Sequence, residues 1–205
     1  DTGSFFVFVN AVNDPPQANA DVAAGMEDTP LDVFVLSNDV DVDSSIDTSS
    51  VQIVGTANPG DSLTVPGEGI WSVNSINGTI TFLPDANFNG TVSTQQYTVA
   101  DVDGARSAPA NINVSISATN DDPLAGTVPV QSTSEDSGIS PIDVLSVASD
   151  VDGDTLFVSA AFATNGTVSI NGDNTLNYSP NADFNGVDTV SYTIEDGNGG
   201  SVIGM

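Results

Sequence analysis

The sequence predicts an all-β protein of two tandem Greek-key β-sandwiches, about seven strands in each. Three observations carry this. Apolar residues recur at every second position, as in Leu31, Val33 and Val35 or Ile112, Val114 and Ile116, with Gly, Pro, Asn and Asp between the runs. Asn77-Gly78 ahead of residues 79–82, and Asn171-Gly172 ahead of residues 175–178, read as hairpin turns, and no stretch sustains a helical stripe. The whole pattern is also written twice.

The repeat sets the order of the elements. Asn13-Asp14 recurs as Asn120-Asp121, Glu27-Asp28 as Glu135-Asp136, and Asp39-Val40-Asp41-Val42-Asp43 as Asp150-Val151-Asp152-Gly153-Asp154, at offsets of 107, 108 and 111. Further on, residues 82–90 recur as 178–186, and Tyr97-Thr98-Val99-Ala100-Asp101 recurs as Tyr192-Thr193-Ile194-Glu195-Asp196, at offsets of 96 and 95. The drop in offset places about 15 extra residues in the first repeat between Asp43 and Phe82, a stretch that holds the only Trp, Trp71. Residues 5–14 match residues 112–121, with Phe5, Val7 and Val9 on Ile112, Val114 and Ile116. The expected organisation is therefore residues 1–12 as the last strand of a preceding repeat, residues 13–119 as one sandwich, and residues 120–205 as a second with its final strand cut short. Three Asn-Gly-Thr triplets, at Asn77, Asn89 and Asn165, fit a glycosylation sequon but are explained by Asn-Gly turns.

Composition narrows the chemistry. The 205 residues carry 28 acids, one base (Arg106) and no His, for a net charge of -27. A nucleic-acid partner is excluded, because phosphates must be neutralised by Lys and Arg. The absence of Cys and His removes disulfides, thiolate zinc sites, cysteine nucleophiles and His-based catalysis. A hydrophobic content of 39% suffices for a core, and no apolar run suggests membrane insertion.

The acids are unevenly chosen. Only Glu27, Glu68, Glu135 and Glu195 are Glu, and the other 24 are Asp. Asp favours turns and loops, where its short carboxylate meets backbone N–H groups or a hard cation. Ca²⁺ takes 6–8 oxygen ligands, and alternating Asp in an extended or turning segment points every second carboxylate the same way. Asp39, Asp41 and Asp43 could converge in this manner, as could Asp150, Asp152 and Asp154. An EF-hand is not meant, since counting from Asp150 puts Thr155 and Ala161 where that loop needs Gly and Glu. Plain turn-making Asp residues are the alternative.

The series Asn13-Asp14-Pro15-Pro16, Glu27-Asp28-Thr29-Pro30, Asn38-Asp39-Val40-Asp41, Asn87-Phe88-Asn89-Gly90 and Tyr97-Thr98-Val99-Ala100-Asp101 resembles the bacterial cadherin-like tandem repeats of large calcium-dependent surface adhesins. The second repeat carries nearly all of it again. The resemblance implies an extracellular chain of sandwiches joined through Ca²⁺. It implies that Glu27 and Asp85 face the next domain, that Asn120, Asp121 and Asp122 form the linker, and that Asp150, Asp152 and Asp196 approach from the second repeat. A matching set, Asn13, Asp14, Asp39, Asp41 and Asp101, would serve the preceding junction. The sequence departs from the animal cadherin linker in having Ala11 and Ala118 two residues before each Asn, where an acid is expected.

Three functions compete at this level. The first is a calcium-stiffened extender of a secreted surface adhesin, whose partners are neighbouring repeats. The second is a module that itself binds carbohydrate or protein through the insert around Trp71. The third is a glycosidase using acid pairs such as Asp101 with Asp103 or Asp85 with Glu68. Repetition argues against the last, because catalytic pairs need not recur in each unit whereas junction ligands must. Head-to-tail self-association is a further expectation, residues 4–10 of one copy filling the last-strand slot of the next.

Overall fold

The computed structural model describes residues 4–205. Contacts divide it into two compact units, Asp1–Thr119 and Asn120–Met205. Both are built of strands, and no described helix is long and apolar enough to cross a membrane.

Unit 1 is a sandwich of two sheets. Strands β1 (Asp21–Met26), β9 (Ala110–Ser117), β8 (Gln95–Asp101) and β3 (Ile46–Ile53) lie in that order, with the short β7 (Gly90–Thr91) also pairing with β9. The facing sheet runs β2 (Leu31–Val33), β6 (Ile80–Pro84), β5 (Gly69–Val73), β4 (Leu63–Val65). β1 joins β9 in parallel and every other pairing is antiparallel. The alternation read from the sequence is the alternation of burial: Ile112, Val114 and Ile116 of β9 are buried while Asn113 and Ser115 face out. Leu31 and Val33 extend β2, and Val35 begins a single 3-10 turn yet still points into the core.

Unit 2 repeats the plan with fewer strands: β10 (Ile139–Ile142), β13 (Leu176–Pro180) and β12 (Gly166–Ile170) form one sheet, and β11 (Phe157–Ala163), β14 (Val190–Glu195) and β15 (Ser201–Gly204) form the other. Its core of Val144, Val158, Leu176, Tyr192 and Ile194 is smaller. Strand counts therefore depart from seven in both directions. In unit 1, β4 forms from residues between β3 and β5 that unit 2 lacks, since residues 164 and 165 alone join β11 to β12. In unit 2 the residues that would match β1 are in no strand, and unit 2 has no described strand at the place of residues 112–117, with which β1 pairs.

One expectation is corrected here. Trp71 lies in β5 opposite Phe82, where unit 2 has Val168 opposite Tyr178. It is thus a residue of the shared hairpin and not of the insert. It is fully buried, 4.7 Å from the Phe82 ring, so it offers no face to a sugar or protein ligand. Residues 4–12 are exposed and pair with no strand of this chain, and residues 1–3 lie outside the described residues.

Both Asn-Gly hairpins are present, with their left-handed residue supplied differently. Gly78 (φ 75°) takes that role between β5 and β6, and Asn174 (φ 65°) takes it between β12 and β13.

Candidate metal-binding poles

Each unit gathers acids at the end where its chain enters, by the same hydrogen bonds. In unit 2, Asn120 donates through Nδ2 to Asp196 Oδ2 at 2.7 Å, and the Asp121 N–H donates to Asp152 Oδ2 at 2.8 Å. Asp150 Oδ1 accepts the N–H groups of Asp152 (2.9 Å) and Asp154 (3.2 Å), while Asp196 Oδ1 accepts those of Asn198, Gly199 and Gly200. In unit 1, Asn13 donates to Asp101 Oδ2 at 2.8 Å and the Asp14 N–H donates to Asp43 Oδ2 at 3.2 Å. Asp41 Oδ1 accepts from Asp43 (3.1 Å) and Ser44 (2.6 Å), and Asp101 Oδ1 accepts from Asp103 and Ala105.

This correspondence resets the register of the repeat. Gln17 bridges Val40 in unit 1 as Leu124 bridges Ser149 in unit 2. Asp41 is therefore the counterpart of Asp150, and Asp43 of Asp152, two residues later than the alignment of the Asp runs implied. Asp39 falls on Ala148 and lies apart from the pole: its carboxylate accepts the Asn19 N–H at 2.7 Å and the Tyr97 hydroxyl at 2.9 Å. Asp43, read with its run as a converging acid, was left out of the junction set for the same reason. A run with Asp at every second place matches itself after a slip of two, and only backbone pairing fixes which slip is right.

The donor set fits a hard cation. One oxygen of each loop carboxylate is used to hold the turn, while Asp41 Oδ2 and Asp150 Oδ2 are buried with no hydrogen-bond partner. Carboxylate oxygens of Asp150, Asp152 and Asp154 lie within 4.8 Å of one another. Asp122 uses Oδ1 to accept the Ser201 N–H at 2.9 Å. Hydrogen bonds keep the deeper acids ionised. The Asn120 amide, working against burial and with the loop N–H groups, holds Asp196 below the usual carboxylate range. Burial pushes Asp101 up, but the Asn13 amide and the N–H groups of Ala105, Gly104 and Asp103 outweigh it.

At the other end of unit 1, Glu27 is buried, its Oε2 accepting from Asn89 Nδ2 (2.9 Å) and its Oε1 from the Thr119 N–H (2.6 Å). The two donors hold its carboxyl low against burial. Asp85 is exposed at the start of the turn after β6, and is not among the acids that converge. Glu68, its suggested catalytic partner, spends both carboxylate oxygens on Ser93.

Two facing sheets repeated along one chain, each unit with an acidic, oxygen-rich pole, define a tandem β-sandwich repeat protein. Residues 13–118 match the family described as a bacterial cadherin-like domain, and residues 119–205 match the cadherin-like domain. The chain belongs to the bacterial cadherin-like repeats. No curated protein matches it. Solved structures resemble it only distantly. An endo-fucoidan hydrolase of glycoside hydrolase family 107 is 15% identical (TM-score 0.35), covering 94% of this chain and 33% of its own. Drosophila N-cadherin EC1-3 is 16% identical (TM-score 0.35), covering 93% and 65%. A chimeric titin Z1Z2 is 10% identical (TM-score 0.30), covering 94% and 95%. The chain thus spans about a third of that hydrolase.

Proposed function

We propose that these repeats are non-catalytic, calcium-stiffened spacers of an extracellular bacterial surface adhesin. The observation that carries this is the duplicated pole, in which the same Asn, Asp and loop-capping carboxylates recur and the equivalent Oδ2 atoms of Asp41 and Asp150 are buried without a hydrogen-bond partner. Asn120, Asp121, Asp122, Asp150, Asp152 and Asp196 would hold Ca²⁺ in unit 2, with Asp154 beside them, and Asn13, Asp14, Asp41, Asp43 and Asp101 would do so in unit 1. Calcium supplies positive charge to a chain of net charge -27. Glu27 grips the N–H of Thr119, the residue directly before Asn120, so one acid of unit 1 and the pole acids of unit 2 hold consecutive residues of the backbone. Ligating it removes rotational freedom from the linker and turns carboxylate repulsion into cross-linking. Extracellular calcium modules bind at about 10⁻⁴ to 10⁻³ M, which makes such a joint firm outside a cell and loose inside one. Calcium titration by calorimetry tests it; no heat of binding up to millimolar calcium would refute it.

A specific surface favours self-association as well. Phe5, Phe6, Val7, Phe8 and Val9 are all at least 70% exposed. Unit 2 has a cleft of about 530 Å³ whose lining includes Val128, Ile142, Leu176, Tyr192 and Met205. In unit 1 the matching strand, β9, buries Ile112, Val114 and Ile116 in the core. Phe5, Val7 and Val9 share that spacing, so strand donation between copies follows. Deleting residues 1–10 should leave only monomer in sedimentation runs.

A further inference from the structure

Unit 1 holds a second group of oxygens, distinct from its acidic pole. Tyr97 is fully buried, and its hydroxyl lies 2.9 Å from both carboxylate oxygens of Asp39, 2.9 Å from the Val35 carbonyl and 3.1 Å from the Asn19 carbonyl. One O–H can donate to one of these at a time, so acceptors outnumber protons. Asp21, the first residue of β1, is only 8% exposed, and its carboxyl faces Asp39, Tyr97 and Asn38. Its Oδ2 has no hydrogen-bond partner.

Buried carboxylates persist when paired with a cation or when they ligate a metal. Arg106, the chain's only Lys or Arg, is engaged elsewhere, donating to the Ser50 carbonyl and the Thr98 hydroxyl. The fold itself does not call for acids at this place. In unit 2 the equivalent tyrosine, Tyr192, is buried with Ala148 at the position of Asp39 and Val128 at that of Asp21, and its hydroxyl has no partner. We infer that Asp21, Asp39, the carbonyls of Asn19 and Val35 and the Tyr97 hydroxyl form an intradomain site for a hard divalent cation, calcium by its all-oxygen donors. Asn38 is exposed and Asn19 half-buried, which leaves a route from solvent. The competing occupant is a proton, since burial and then the Asp39 charge raise Asp21 to about 6.

Equilibrium dialysis of calcium on the full chain at neutral pH separates the two. Asp21→Asn should bind one ion fewer at saturation than the native chain, while the weak calcium sites of the poles titrate unchanged. Asp39→Ala, which copies Ala148 of unit 2, should lose the same ion and decides the matter if Asp21→Asn does not fold. Equal saturation in the native chain and a folded variant overturns the site. So does an infrared band of a protonated carboxyl present in the calcium-loaded native chain and absent from Asp21→Asn.

Discussion

Every pole aspartate has two oxygens, and the local turn uses only part of that capacity. In Asp150 the turn takes Oδ1 and leaves Oδ2 buried without a partner, which is costly unless a cation completes it. Asp121→Ala or Asp152→Ala should therefore lower calcium affinity by at least about tenfold in calorimetry, with both units still folded. Asp43→Ala should match Asp41→Ala, which the slipped alignment of the sequence does not anticipate. Asp61→Ala and Asp173→Ala remove acids that cap the N–H groups of Asn58 and Thr175 and should leave affinity unchanged. The Asn-Asp pairs and the acid ending each Tyr-x-x-x-Asp run were legible in the sequence because both are fixed by neighbours in the chain. Asp39 was placed in a junction set, and Asp43, though read with its run, was left out of it, because an alternating run has no unique register until Gln17 pairs with Val40.

The strands of unit 1 were legible where burial follows the two-residue period, as in β9, and illegible where packing overrides local pattern. Trp71 illustrates this: the drop in repeat offset placed it in an insert because that drop does not fix where between Asp43 and Phe82 the extra residues lie, and Gly69 is what lets β5 lie against β6. Gly69 has φ 151°, and a Cβ there would come within 2.2 Å of the Leu83 carbonyl oxygen. Gly69→Ala should cost at least about 2 kcal/mol in urea unfolding of unit 1, and Trp71→Ala about 3–5 kcal/mol by emptying the core beside Phe82. In unit 2 the turn between β11 and β12 depends on Asp188, which accepts the Asn165 N–H at 2.9 Å and the Tyr178 hydroxyl at 3.0 Å. Burial pushes Asp188 up, but these donors and the Thr189 N–H bring its folded value below 3.8. A lowered carboxyl contributes stability above its unfolded value, and that contribution is lost as pH falls through the folded one. In chelator, the urea midpoint of unit 2 should fall below about pH 4, less steeply in Asp188→Asn than in the native chain. Parallel slopes would contradict the assignment.

Across the whole molecule, the net charge and the proposed metal sites are coupled. A chain with 28 acids and one base repels itself, and salt screens that repulsion without choosing a geometry. Calcium bound as proposed would be selective, because it would bind the folded poles and not the unfolded chain. At ten times its dissociation constant a single site adds about 1.4 kcal/mol, which for domains of this size raises the melting temperature by roughly 5–10 °C. Equal ionic strength of sodium chloride should not reproduce that rise. The mechanical part of the reading needs a separate measurement, since stabilised units could still swing freely about Asn120. X-ray scattering in calcium and then in chelator should show a longer, narrower distance distribution with calcium, and Asp121→Ala should resemble the chelated native chain even when calcium is present. If melting rises while the scattering curves stay superimposable, the ions stabilise individual sandwiches and the spacer mechanism fails.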